Sequence, residues 1–184
     1  MLTYGSSAER DQKRRLARQV RAASSVCNEP NHTMNDAHWM QEALTEAHQA
    51  GALGEVPVGA VVVRAGEVVG RGFNRRESDA DPLAHAEVLA IREAAQAVGG
   101  WRLVGCDLYV TLEPCAMCAG ALVNSRVERL VFAARDPKAG YCGSLGNLVQ
   151  DPRLNHQIEI AEGILAEESS ALLRRFFASL RRNR

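Results

Sequence analysis

His85-Ala86-Glu87 and, further along the chain, Pro114-Cys115-Ala116-Met117-Cys118 supply one imidazole, two thiols and one carboxylate. Those residue types suit a metal centre. One histidine and two cysteine thiolates give a tetrahedral zinc three protein ligands and leave a fourth position for water, which is the layout of a catalytic site. Structural sites close the shell with a fourth protein ligand. Water on such a zinc has its pKa lowered toward neutrality, and Glu87 stands two residues from the histidine, close enough in sequence to take a proton and pass it on. The spacing therefore predicts His85, Cys115 and Cys118 as ligands of Zn2+ and Glu87 as the catalytic acid and base. Cys-x-x-Cys alone also occurs in redox motifs and zinc fingers. The histidine, glutamate and proline beside it favour catalysis.

The elements that must position these residues carry start signals. Pro114 suits the first turn of a helix, where a missing N–H costs nothing, and Cys115 and Cys118 at i, i+3 then share one face of a helix over residues 115–124. Asp81-Pro82 reads as a second start, with Asp81 as N-cap and Pro82 at the first helical position of a helix over 81–98. On a regular helix of 3.6 residues per turn, His85 and Glu87 would point about 200° apart. The metal is thus expected off the helix side, with Glu87 reaching round. Helical spacing also marks residues 36–50, and a helix begins at Ile164 with Leu165, Leu172, Leu173, Phe176, Phe177 and Leu180 as apolar positions. The β-branched runs 56–63 and 68–73, joined by Arg64-Ala65-Gly66-Glu67, read as an antiparallel hairpin. Further strands are expected at 108–112, 129–134 and near Ile158 and Ile160. Strands followed by helices imply a partly parallel sheet with helices on both faces.

The chain has 184 residues, 46% of them hydrophobic, with no formal net charge. That length fits one domain plus a tail. Five cysteines are an odd number, unlike a disulfide framework, and favour a reducing compartment. Nothing reads as a membrane span. The first 33 residues hold six basic residues against three acidic ones, and their lack of an apolar stretch excludes a secretory signal. We read residues 1–33 as a basic, flexible tail and 34–184 as the zinc-dependent domain.

Read with their neighbours, His85-Ala86-Glu87 and Thr111-Leu112-Glu113-Pro114-Cys115-Ala116-Met117-Cys118-Ala119-Gly120 closely resemble the bacterial tRNA-specific adenosine deaminases. The likeness runs from about Asp36 to Arg182. It includes Glu55-Val56-Pro57-Val58-Gly59-Ala60, Asn74, Phe132-Ala133-Ala134-Arg135-Asp136, and Asn155-His156 followed by Ile158-Glu159-Ile160. The resemblance implies a cytidine-deaminase-like three-layer α/β/α sandwich built on a mixed five-stranded sheet. It implies a cytoplasmic homodimer with one Zn2+ per subunit, and hydrolytic conversion of adenosine to inosine at the wobble position of a tRNA anticodon stem-loop. Glu87 would shuttle protons from the zinc water to N1 of adenine and to the departing amine. Asn74 would hydrogen-bond the flipped nucleoside, with Val58 and the Ala86 backbone lining the pocket. Asp136 would contact the adjacent nucleotide, His156 an anticodon base, and Arg174, Arg175, Arg181, Arg182 and Arg184 the phosphates. Pro137 directly after Asp136 departs from the family pattern and stiffens that loop.

Two other readings stay open at this level. A free nucleobase or nucleoside deaminase, acting on guanine, cytosine or cytidine, uses the same metal set. A structural zinc module would recruit Cys106 or Cys142 as a fourth ligand and leave Glu87 incidental.

Overall fold

The computed structural model describes residues 32–182, and side chains from Asp36 onward. Residues 1–31 of the expected basic tail, and Arg184, lie outside the described residues, whereas His32 and Thr33 already belong to the first helix. In chain order the elements are α1 (His32–Ala52), β1 (Gly59–Arg64), β2 (Glu67–Phe73), α2 (Ala86–Ala97), β3 (Cys106–Leu112), α3 (Ala116–Ser125), β4 (Arg129–Ala134), β5 (Glu159–Glu162) and α4 (Ala166–Arg182). The sheet order is β2-β1-β3-β4-β5. β1 runs antiparallel to both β2 and β3, whereas β3, β4 and β5 are parallel. The expected mixed five-stranded sheet is therefore present, with the hairpin as its antiparallel half.

Strand side chains alternate between faces, so each central strand feeds two cores. Ala60, Val62, Leu108, Val110, Leu130 and Phe132 point to the face covered by α2 and α3. Val61, Val63, Tyr109, Val131 and Ala133 meet Met40 and Ala43 of α1 on the other. Such double burial explains why β1 and β4 read as unbroken apolar runs. A buried carboxylate also fastens α1: Asp36 accepts from the Tyr109 hydroxyl at 2.9 Å and from two Arg129 nitrogens at 2.8 Å each.

The packing of α2 onto β2 is tighter still. A Cβ on Gly72 would stand 2.3 Å from the Ala86 carbonyl oxygen, and one on Gly70 would stand 2.4 Å from that of Ala90. Two glycines facing an alanine stripe let the helix backbone rest on the strand. That contact sets the height of the whole His85-Ala86-Glu87 segment above the sheet.

The helix starts differ from expectation in an informative way. α2 begins at Ala86, not near Asp81, and its N-cap is His85 in extended conformation. Asp81 instead closes a tight turn, accepting from the Leu83 N–H at 2.8 Å. α3 likewise begins at Ala116, with Cys115 as an extended N-cap and Pro114 outside. An Asp-Pro pair marks a turn as readily as a helix start, and here the turn is held by Ala84, whose N–H donates to the Asp81 carbonyl at 3.1 Å and whose carbonyl accepts from Arg75 at 3.0 Å.

Candidate metal centre and substrate cavity

His85 and Cys115 hold the N-cap positions of α2 and α3, and Cys118 is the third residue of α3. Their side chains converge: His85 Nδ1 lies 3.7 Å from Cys115 Sγ and 3.5 Å from Cys118 Sγ. All three donor atoms lie within 4.8 Å of one another. This one imidazole and two sulfurs match the donor set and spacing a tetrahedral zinc takes. Neither N-cap residue caps its own helix with its side chain, so both are free to face a shared ion. Side by side, the two thiols are shifted in opposite directions. The Cys115 thiol is held down to about 3, first by its hydrogen bond with Cys118, and the same bond pushes Cys118 up. Cys106 and Cys142 are buried free thiols outside the group, so among the described residues no fourth sulfur joins it.

The extended N-cap conformation removes the difficulty with Glu87. His85 stands before the helix and need not obey its angular repeat, while Glu87 lies in the first turn. Glu87 is only 4% exposed, and burial raises its carboxyl above the ordinary value. A carboxyl so placed takes up and releases a proton nearer neutrality than a solvated one does.

These groups border a cavity of about 210 Å³ between the ends of β1 and β3 and the start of α2. Asn74, Val58, Ala86 and Asp136, expected from sequence, all line it. His156 does not. It precedes β5, and its Nε2 donates to the Val127 carbonyl at 2.6 Å, at the end of β4 away from the cavity.

Three residues went unsingled in the sequence although they shape the cavity. Glu55, 1% exposed, accepts the Asn74 amide nitrogen at 3.3 Å and the Ser78 N–H at 2.6 Å. The second Asn74 donor goes to the Val56 carbonyl at 3.3 Å. Because a carboxylate only accepts, Asn74 must turn its nitrogen to Glu55 and leave its oxygen as an acceptor for the cavity. Glu113 plays a similar part for the loop after β4. It accepts the N–H groups of Asp136 at 3.0 Å, Cys142 at 3.1 Å and Ser144 at 2.9 Å, together with the Ser144 hydroxyl. The loop packs so closely that a Cβ on Gly140 would lie 2.3 Å from the Glu113 carboxyl carbon. Arg76 is the third, at the cavity rim. Single carboxylates and a lone arginine carry no spacing signal. Only the fold reveals them.

With the geometry established, likeness to known proteins is informative. The chain matches the MafB19-like deaminase family over residues 34–181. It is 53% identical over 149 residues to the tRNA-specific adenosine deaminase of Bacillus subtilis, covering 81% of this chain and 92% of that protein. To the tRNA-specific adenosine deaminase of Haemophilus influenzae it is 48% identical, covering 79% and 85%. Among solved structures, one from work on A-to-I editing by tRNA:A34 deaminases at the wobble position superposes with a TM-score of 0.71 at 45% identity, covering 74% of this chain and 99% of that one. A guanine deaminase from Nitrosomonas europaea superposes at 0.67 with 26% identity, covering 82% and 94%. Identity near one half, carried across almost the full length of these relatives, shows that the chain belongs to the tRNA-specific adenosine deaminase family.

Proposed function

We propose that the protein hydrolyses adenosine to inosine at the wobble position of a tRNA anticodon stem-loop, with His85, Cys115 and Cys118 holding one Zn2+ per subunit. The observation that carries this reading is a buried glutamate beside a three-ligand cluster at one cavity of nucleobase size. When bound, zinc supplies the Lewis acidity that makes a water nucleophilic at neutral pH. Glu87 takes a proton from the attacking water and gives it to N1 of adenine as oxygen bonds to C6. It then moves the proton of the new hydroxyl to the exocyclic amine, which leaves as ammonia. Asn74 Oδ1, held outward by Glu55, accepts from a donor of the nucleoside such as a ribose hydroxyl. Val58 and the Ala86 backbone hold the flipped base, and Asp136 on its tethered loop faces the neighbouring nucleotide.

The enzyme works as a homodimer in this reading, in the cytoplasm with its tRNA substrate. Among the described residues no helix is long and apolar enough to cross a membrane.

The test is incubation of the zinc-loaded protein with an adenosine-wobble tRNA, beside free adenosine, cytidine and guanine, with inosine read by sequencing. Conversion of the tRNA with little turnover of the free compounds is expected. Efficient guanine turnover and an untouched tRNA would transfer the site to the free-base reading, to which the Nitrosomonas europaea neighbour gives weight.

A further inference from the structure

A nucleotide within RNA enters a protein with a phosphate on either side, and a cavity lined by acids repels both. Glu87, Glu113 and Asp136 all border this cavity. Arg76 is the only lysine or arginine among the described residues that line it. Its guanidinium makes no hydrogen bond or ion pair among the described residues. Neighbouring arginines do: Arg75 is paired with Asp79 at 2.8 Å, and Arg71 with Glu42 at 2.8 Å and Glu46 at 3.2 Å. Arg76 acts on Glu55 and His85 only through its field.

The turn that bears Arg76 is fixed on several sides. Arg75 donates its N–H to Ala84 at 3.0 Å, Asp81 donates to the Arg76 carbonyl at 3.2 Å, and Ser78 donates to buried Glu55. Glu55 therefore sets both the Asn74 amide inside the cavity and the turn at its rim. Arg76 is thus an exposed cation on a fixed turn, two residues beyond Asn74 and lining the same cavity.

We infer that Arg76 binds a phosphate attached to the target nucleoside, so that the cavity recognises a nucleotide rather than a bare nucleoside. This rests on the proposed adenosine deamination and adds its phosphate contact. A guanidinium fork suits phosphate oxygens and needs no partner in the free protein. The phosphate has two sources, a phosphodiester of RNA or the monoester of free AMP.

The experiment compares the wild-type enzyme with Arg76→Gln and Arg76→Lys on a stem-loop RNA bearing an unpaired adenosine, on AMP and on free adenosine. Losing one phosphate contact should reduce the slope of log affinity against log salt for the stem-loop by about 0.7. Arg76→Gln should raise KM for the RNA roughly tenfold or more, the worth of a charge-assisted hydrogen bond, with a much smaller effect on kcat. The loss for free adenosine should be far smaller, and Arg76→Lys should restore the slope and part of the KM. Arg92→Gln, the same charge change on the outer face of α2, should leave the slope as it was and so exclude a global charge effect. A wild-type preference for AMP over adenosine that Arg76→Gln abolishes would assign the contact to the monoester as well. Equal losses on RNA and adenosine, or an unchanged slope, would overturn the inference while leaving the deamination reading intact. A wild-type enzyme that leaves the stem-loop adenosine unconverted would sink that reading, and this inference with it.

Discussion

Glu87 and Glu113 are both buried, yet their surroundings drive them in opposite directions. Around Glu87, loss of water dominates and raises its carboxyl. Burial alone would raise Glu113 as well, but the donors of Ser144, Asp136 and Cys142 outweigh it, and the net shift is downward from 4.5. The first arrangement suits the proton-transfer role proposed for Glu87, and the second favours the carboxylate form of Glu113. Replacing Glu87 by alanine should accordingly leave the metal content whole while turnover falls by about 10²–10⁴ or more, as expected when a proton-transfer group is removed. Metal analysis beside single-turnover kinetics checks this, and loss of metal together with activity would make Glu87 a ligand. For Glu113 the consequence concerns stability. A carboxyl with a depressed folded-state pKa contributes stability that is complete above its unfolded value and disappears as pH falls through the folded one. The melting temperature of Glu113→Gln, followed from neutrality into the acid range, should therefore fall less steeply below pH 4.5 than that of the wild type. Parallel curves would mean the carboxylate is not ionised against its donors.

At the scale of elements, α2 and α3 present their N-cap residues to one point, and the height of α2 depends on Gly70 and Gly72. Gly72→Ala should cost about 1–3 kcal/mol through overpacking and, by lifting Ala86, also weaken metal retention. Thermal melting and a chelator-competition titration would show both, and a loss of stability with unchanged metal affinity would uncouple the strand contact from the site. Much of this layer was legible in the sequence. The β-branched hairpin and the strand at Arg129–Ala134 were visible because their signals are local and periodic, and the convergence of His85, Cys115 and Cys118 because their residue types and motif spacing are distinctive. The start of α2 was misplaced because Asp81-Pro82 fits a turn and a helix start equally well. Glu55, Glu113 and Arg76 were illegible as site residues for another reason. The importance of Glu55 and Glu113 lies in partners 19 to 31 residues away, and that of Arg76 in a guanidinium with no hydrogen bond or ion pair among the described residues.

For the molecule as a whole, the open question is assembly. Leu83, Trp101, Val104 and Leu145 are each more than half exposed, but single exposed apolar residues are ordinary, so the expectation of a dimer rests on the proposed function. Sedimentation of the zinc-loaded protein should find a species of two chains at micromolar concentration. A monomer that still converts tRNA would argue against a composite site. The chain also lacks any formal net charge, so attraction to RNA must come from local placement of cations and not from the overall field. The loop after β4 has a last consequence, one of timescale. Mobile lids owe their speed to few and solvent-exposed hydrogen bonds, which break at little cost. Here the wall that carries Asp136 hangs from a buried carboxylate adjoining the Pro114-Cys115 step, and Tyr141 donates back to the Pro114 carbonyl at 2.8 Å. Opening that wall would pull on the segment bearing Cys115, so under the proposed function we expect a rigid chamber, with the RNA doing the unstacking and bending on entry.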